Sequence, residues 1–235
     1  MNDSDVHLQS AFILQHRKYR ETSLIIDVLT KDFGIISILA KGVRKKKSKT
    51  AGVLLAFSAL KISYIGKNEL KILTHVEPDV DQIKLKGLSL YCGFYINELT
   101  RYLLHKNDPH PEVYYEYSQC LMLLSKAKKT EQILRFFELN LMQQIGYAIP
   151  LSYDAITDTT VKPLTKYYFN SELGMVESPQ GYITGQTLLM LETRESLDQQ
   201  ALYEAKQLMR RVIDFYLQGK ELKSRAILAK IIKQI

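Results

Sequence analysis

Residues 24–40 read LIIDVLTKDFGIISILA, and this stretch decides the fold that the sequence predicts. It contains two short apolar runs rich in β-branched residues, 24–30 and 35–40, separated by the tetrapeptide KDFG. A polar, glycine-bearing tip of this length between two such runs is typical of a β-hairpin. We therefore expect two antiparallel strands here.

Three similar runs surround the hairpin, at residues 11–14, 59–65 and 70–74. The last two are separated by GKNE, residues 66–69, which is again a turn sequence. Five short strands in one segment fit a small barrel, because a closed barrel leaves no sheet edge exposed. The sequence thus predicts a five-stranded β-barrel over residues 1–80.

The apolar residues recur at helical spacing from about residue 88 onward, and this pattern predicts six helices. Their predicted starts are, in chain order, Leu88, Pro111, Thr130, Gln186, Asp198 and a position just after Lys223. Prolines and glycines interrupt the pattern at residues 150–185, which predicts a loop-rich insert with a hairpin at 166–169 and 175–176. The predicted fold class is therefore α+β, with an α-helical domain in residues 81–235.

The composition is typical of a globular protein and gives no sign of a secreted or membrane-spanning one. Hydrophobic residues make up 46% of the 235 residues and charged residues 24%, which is ordinary for a soluble globular protein. The polar, acidic start predicts no secretory signal, and no apolar run is long enough to suggest a membrane span. Cys92 and Cys120 both lie in apolar helical patterns, so we expect a cytoplasmic protein without a disulfide framework.

The sequence contains no clear motif for catalysis or cofactor binding. Gly219 and Lys220 lack the upstream glycine and the following Ser or Thr of a phosphate-binding loop, and no G-x-G-x-x-G follows a predicted strand. The five histidines are scattered, and neither cysteine has a histidine or a basic residue beside it. We expect a protein that is not an enzyme and holds no cofactor and no metal.

The net charge of +7 is concentrated near the start of the chain. Residues 1–80 carry 13 lysines and arginines against eight acidic residues, whereas residues 81–235 carry 19 against 17. Residues 41–49, between the third and fourth predicted strands, contain six cations and no acid. The simplest interpretation is a solvated loop, but such a segment on a small barrel is also typical of a surface for single-stranded nucleic acid.

Further cations flank an aromatic residue, Tyr19, in the turn between the first two predicted strands. Phe33 and Tyr64 are two more aromatic residues on which bases could stack. The predicted nucleic-acid contacts of the barrel are Arg17, Lys18, Arg20, Lys41, Arg44, Lys45, Lys46, Lys47 and Lys49.

A second candidate surface lies in the helical region. Phe136 and Phe137 are adjacent and cannot both face one core, and Arg135 precedes them. Lys206 and Arg210 lie on a later helix with apolar neighbours. An apolar pocket rimmed by such cations would accept an acidic peptide that ends in a hydrophobic carboxylate. Spacing alone favours the simpler interpretation of core aromatics with ordinary helix-end cations.

Six blocks of the sequence resemble one known family. They are residues 19–24 (YRETSL), 38–44 (ILAKGVR), 90–99 (LYCGFYINEL), 135–139 (RFFEL), 145–147 (IGY) and 219–225 (GKELKSR). In this order, over nearly the whole chain, they are similar to the family of the bacterial DNA repair protein RecO.

The resemblance implies an OB-fold barrel followed by an α-helical domain. It also implies a recombination mediator, in the cytoplasm at the bacterial nucleoid, that binds single- and double-stranded DNA and anneals complementary strands. Its implied partners are the acidic C-terminal tail of single-stranded DNA-binding protein and RecR, with which it would load RecA.

The resemblance also assigns roles to residues. It implies DNA contacts for Arg20, Lys41 and Arg44, which match the family directly, and the neighbouring lysines extend this run by charge alone. The candidates for binding the acidic tail are Arg135, Phe136, Lys206 and Arg210.

One feature departs from the family pattern. Many members carry four zinc-binding cysteines in the insert, whereas residues 150–185 contain none. The chain therefore resembles the zinc-free, proteobacterial type, and we expect packing alone to hold its insert.

Three other functions stay open on the sequence alone. An RNA-binding barrel would prefer RNA through contacts to the 2′-hydroxyl. In a protein adaptor, the basic residues 41–49 would be only a solvated surface. A nuclease would need clustered carboxylates and a divalent metal, for which Asp79 and Asp81 are weak candidates.

Overall fold

The N-terminal part of the chain forms a closed five-stranded barrel in the computed structural model. The structure describes residues 5–46, 48, 50–79, 83–126 and 129–232. The barrel strands are β1 (Asp5–Tyr19), β2 (Ser23–Thr30), β3 (Gly34–Ala40), β4 (Ala59–Ile65) and β5 (Leu70–Pro78). They pair in the order β1-β2-β3-β5-β4, with β4 closing onto β1 and with β3 and β5 parallel. This OB-like barrel confirms the predicted fold.

Apolar side chains that alternate along the strands fill the barrel. Ile26 and Val28 of β2 are buried there with Ile36 and Ile38 of β3 and Ile62 of β4. Burial of each such side chain contributes about 1.5–3 kcal/mol to folding. The apolar runs from which these strands were predicted therefore also supply the side chains that stabilise the barrel.

β1 extends well beyond residues 11–14, the part that the sequence predicted. Its first part pairs with β4 and its second part with β2, and a bulge at Leu14 interrupts the pairing with β2. The first end has only Val6 and Leu8 as apolar residues and the second end is mostly polar, and both ends are largely exposed, so neither carries an apolar run that would reveal it.

All six predicted helices are present in the described part of the chain. They are α1 (Leu88–Leu103), α2 (Pro111–Lys126), α3 (Thr130–Gln144), α4 (Gly185–Glu192), α5 (Gln199–Tyr216) and α6 (Lys223–Ile232). Asp198 caps the start of α5, because its carboxylate accepts a hydrogen bond from the Ala201 N–H and so satisfies a free donor of the first turn. No helix within the described ranges is long and apolar enough to cross a membrane.

The insert between α3 and α4 contains a small sheet as well as loops. Its strands β6 (Lys166–Asn170), β7 (Gly174–Glu177) and β8 (Ile183–Thr184) pair in the order β7-β6-β8. The hairpin of β6 and β7 was predicted. β8 was not, because two residues are too few to show a periodic pattern.

A buried carboxylate stabilises this insert through hydrogen bonds to its backbone. Asp154 is 2% exposed, and it accepts hydrogen bonds from the backbone N–H groups of Thr157 (2.7 Å) and, in β7, Glu177 (2.6 Å). Burial acts to raise the pKa of Asp154, but the hydrogen bonds outweigh it and leave that pKa below its usual value. Across the described residues, no group of three His, Cys, Asp or Glu side chains could hold a metal ion.

The described residues divide into two compact units. One contains β1–β5 with α1, α2 and α6, and the other contains α3, β6–β8, α4 and α5. Within the first unit, the Glu98 carboxylate on α1 accepts hydrogen bonds from the backbone N–H and the hydroxyl of Ser224 at the start of α6. The last helix of the chain is thus part of the unit that contains the barrel.

A buried chain of hydrogen bonds attaches α1 and α2 to the barrel. The Tyr117 hydroxyl on α2 donates to the side-chain carbonyl of Asn97 on α1. The Asn97 amide donates in turn to the backbone carbonyl of Leu14, the bulge residue of β1, at 2.7 Å. Asn97 is 3% exposed and Tyr117 is fully buried, so neither group can exchange its partner for water.

Candidate nucleic-acid interface

The turn between β1 and β2 is held by the start of the connection between β3 and β4. The turn consists of residues 20–22, and Arg44 donates two hydrogen bonds to it. Its backbone N–H bonds to the Thr22 carbonyl at 2.8 Å, and its guanidinium bonds to the Arg20 carbonyl at 3.1 Å. The two segments that the sequence marked as basic are therefore in direct contact.

The backbone conformation of these two segments determines where their cationic side chains project. Gly42 has a φ of +69°, which glycine adopts without strain, and the Lys45 N–H closes the turn onto the Gly42 carbonyl at 3.2 Å. Arg20 has a φ of 48°, which costs a non-glycine residue about 1–2 kcal/mol. Its guanidinium lies 5.3 Å from the centre of the Tyr19 ring.

The two segments enclose an open cleft of about 600 Å³, which we call the basic cleft. Its lining combines three cations, one acid, one aromatic ring, two hydroxyls and an aliphatic side chain. The lining residues are Tyr19, Arg20, Glu21, Thr22, Ser23, Leu39, Lys41, Gly42 and Lys45. Such a mixture offers charges for a phosphate, a ring on which a base can stack, and hydrogen-bonding groups for a base edge.

The three cations of the basic cleft are available to a ligand. Arg20, Lys41 and Lys45 are exposed, and no carboxylate lies within 4.0 Å of them among the described residues. Because they are solvated and unpaired, a bound phosphate would replace water and counterions without breaking an ion pair inside the protein.

The other predicted contacts of the barrel fall near the same end. Arg17 and Lys18 are exposed on β1, where they pair with Ile25 and Leu24 of β2, just before the turn. Lys46 is exposed and directly follows Lys45, which lines the basic cleft. Lys47 and Lys49 lie outside the described residues, as does Asp81 of the nuclease alternative.

The two additional aromatic candidates do not belong to this site. Tyr64 is 3% exposed and packs in the barrel core, so the expectation that it offers a stacking face was wrong. Phe33 is exposed in the turn after β2, at the end of that strand opposite the basic cleft. At about 3.3 Å per residue, the length of β2 separates them by roughly 23 Å.

The predicted tail-binding residues lie on α3 and α5, and one of them is buried. The Arg135 side chain is 10% exposed and forms an ion pair with Glu138, whose side chain is 1% exposed. Phe136 is half-buried, whereas Phe137 is buried. Arg135 thus neutralises an acid inside its unit, a role that the position of a cation in the sequence does not reveal.

The exposed cations of that set are on α5. Lys206 lies 3.4 Å from Glu131 on α3, and Arg210 lies 3.9 Å from Asp214 one turn further along α5. Pairs this exposed contribute little to stability and exchange readily with an external anion.

Several residues of the basic cleft were not predicted from the sequence. They carry no positive charge, which was the feature that predicted the site, and they are Glu21, Thr22, Ser23, Leu39 and Gly42. Glu21, Thr22 and Ser23 lie in the YRETSL block after the predicted contact Arg20, and Leu39 and Gly42 lie in the ILAKGVR block close to the predicted contact Lys41. Their proximity in sequence was the available signal.

Two family models match the chain, and together they cover most of it. The model described as "Recombination protein O N terminal" matches residues 2–79. The model described as "Recombination protein O C terminal" matches residues 86–226. The first corresponds to the barrel, and the second corresponds to the helical part with its insert.

Relatives along the full length agree with these models. The DNA repair protein RecO of Dechloromonas aromatica (strain RCB) is 37% identical over 236 residues, which covers 97% of both chains. That of Nitrosospira multiformis is 38% identical over 226 residues, covering 94% of this chain and 93% of the relative. That of Methylococcus capsulatus is 39% identical over 228 residues, covering 95% and 93%. The chain belongs to the RecO family of DNA repair proteins.

Proposed function

We propose that this chain is a recombination mediator in DNA repair, which binds single- and double-stranded DNA and anneals complementary strands. The observation that carries the proposal is the basic cleft, where three unpaired cations and the ring of Tyr19 lie together on an OB-like barrel. Membership of the RecO family supports the same function.

The chemistry of annealing requires no catalytic group. Two complementary strands repel each other through their phosphates, and cations that neutralise those phosphates remove this barrier. Stacking on an aromatic ring can hold bases unpaired until a complementary strand arrives. Pairing then proceeds downhill, so we propose a binding protein that needs no nucleotide hydrolysis and no cofactor.

We expect the protein to accelerate annealing of two complementary oligonucleotides about 10-fold or more at about 50 mM salt, and much less at 500 mM, because counterions compete for the phosphates. The measurement is the rate at which a fluorophore and a quencher, one on each strand, come together. Non-complementary strands provide the control.

Equal rates with and without the protein at low salt would contradict the annealing function. Acceleration that is independent of salt would contradict the role of the cations. Cleaved DNA after prolonged incubation with magnesium would instead favour the nuclease alternative.

We further propose that the second unit binds the acidic C-terminal tail of single-stranded DNA-binding protein, and that the chain acts with RecR to load RecA at the bacterial nucleoid. Lys206 and Arg210 support this proposal because both are exposed on one face of α5. Half-buried Phe136 would supply apolar contact. Arg135 would act indirectly, since its charge already faces Glu138.

Replacing Lys206 and Arg210 together with alanine should weaken binding of an acidic peptide ending in Pro-Phe by about 5- to 30-fold, because two partly screened charge contacts are lost. Fluorescence anisotropy of the labelled peptide measures the affinity. Replacing Lys162 and Lys166, exposed lysines of the insert, with alanine gives the same change in net charge and should have little effect. If the wild type and both variants bound the peptide with equal affinity, the tail would bind at a site other than Lys206 and Arg210.

A further inference from the structure

The basic cleft contains an acid that a surface built only for phosphate would not need. Glu21 lines the cleft together with three cations. Its side chain is exposed, and among the described residues it has neither an ion pair within 4.0 Å nor a side-chain hydrogen bond. A carboxylate in this position repels phosphate, so any favourable contact that it makes with a nucleic acid must be to a hydrogen-bond donor.

The donors that a single strand of DNA offers are on its bases. Its phosphates and its sugars, within the strand, provide only acceptors, whereas unpaired bases expose their Watson–Crick edges. The cleft volume of about 600 Å³ lies in the range of small-ligand sites, which leaves room for one nucleotide. A base that stacks on Tyr19 would therefore lie in the same cleft as the Glu21 carboxylate.

We propose that Glu21 makes the basic cleft selective for bases that carry an amino group, so that cytosine is preferred over thymine and uracil. The inference rests on the proposed binding of single-stranded DNA. Cytosine offers its N4 amino group to a carboxylate, a pairing that also serves in base recognition within duplex DNA. Uracil and thymine offer one N–H flanked by two carbonyl oxygens, and both oxygens repel a carboxylate.

The test compares two labelled 15-residue oligonucleotides, one of deoxycytidine and one of deoxyuridine, which differ only in the Watson–Crick edges of their bases. We expect the wild-type protein to bind the deoxycytidine strand about three- to tenfold more tightly, the effect of one charge-assisted hydrogen bond in an open site. In Glu21→Gln this ratio should fall to near one, because the amide can donate to uracil as well as accept from cytosine.

Glu172→Gln is the matched control, since Glu172 is an exposed acid in the turn of the β6–β7 hairpin and its replacement changes the net charge equally. This variant should keep the wild-type ratio. The ratio, and not the absolute affinity, is the readout, because loss of any acid near a phosphate strengthens binding to both strands.

Four outcomes would overturn the inference. A wild-type ratio near one, or a ratio that persists in Glu21→Gln, would leave DNA binding intact and reject base selection by Glu21. Failure to bind either strand would reject the proposed function itself. A preference for oligocytidine RNA over the deoxycytidine strand that disappears in Glu21→Gln would assign the carboxylate to the 2′-hydroxyl.

Discussion

Replacing Arg20, Lys41 and Lys45 together with alanine should weaken binding to single-stranded DNA by up to about 100-fold at 0.1 M salt. The estimate follows from counterion release: each phosphate contact to a single strand releases about 0.7 of a counterion, which at 0.1 M salt is worth about fivefold in affinity. All three cations line the basic cleft and are unpaired within the described residues, so each can make such a contact. Fluorescence anisotropy of a labelled thymidine oligomer measures the loss.

The matched control removes three exposed lysines outside the barrel, Lys162, Lys166 and Lys230. It has the same net charge as the first variant and should change the affinity less than about threefold, since only the long-range field differs. If both variants lost affinity equally, DNA would be responding to overall charge and not to the basic cleft. Thermal unfolding should be nearly unchanged in both, because exposed unpaired cations contribute little to stability.

Replacing Asn97 with leucine should destabilise the unit that contains the barrel by about 2–4 kcal/mol. The substitution removes a buried amide that accepts from Tyr117 and donates to the carbonyl of Leu14, and it leaves both partners buried without a hydrogen bond. For a chain of this size, we expect a fall in Tm of about 5–12 °C. Differential scanning calorimetry or thermal circular dichroism would measure it.

A double-mutant cycle with Tyr117→Phe separates the hydrogen-bond chain from a loss of packing. Burial raises the pKa of Tyr117 well above its usual value, so the hydroxyl stays protonated and serves as the donor. The double variant should be less destabilised than the sum of the single variants, since the two groups share one interaction. Strict additivity would contradict the proposed coupling. Gln119→Leu, on the exposed face of α2, should change stability by less than about 0.5 kcal/mol.

The fold could be predicted from the sequence because its main elements carry strong local patterns. The apolar runs at residues 24–30 and 35–40, on either side of the turn sequence KDFG, specify the central hairpin, and the helical spacing after residue 88 specifies six helices. The ends of β1 and the two residues of β8 could not be predicted, because none of them forms an apolar run and only pairing with other strands makes them β.

Buried polar groups were the other features that local patterns could not reveal. Asn97, Arg135 and Asp154 look like ordinary surface residues in the sequence, yet each is buried with partners that only the tertiary structure supplies. The insert illustrates the consequence: packing was expected to hold it, and the structure adds the hydrogen bonds of Asp154 to that packing. The burial of such a group depends on its own set of tertiary contacts and not on a periodic pattern in the sequence.

The candidate site was predicted in part, because charge is visible in a sequence and enclosure is not. Arg20, Lys41 and Lys45 were marked by their charge, and the structure brings them into one cleft. The role of Arg44 in holding the 20–22 turn, and the presence of Glu21 in the cleft, depend on how two loops meet. The run of cations in the sequence therefore indicated the candidate surface, whereas the shape of that surface could be known only from the folded structure.

The salt dependence of binding to single-stranded DNA tests most directly whether the basic cleft is the DNA-binding surface. We expect the logarithm of the wild-type association constant to fall with the logarithm of salt concentration with a slope of about −3 to −4, which corresponds to roughly four to six phosphate contacts. The Arg20, Lys41 and Lys45 triple variant should lose about 2 from that slope, since three contacts at about 0.7 each disappear. A wild-type slope near zero, or the same slope in the variant, would contradict the assignment.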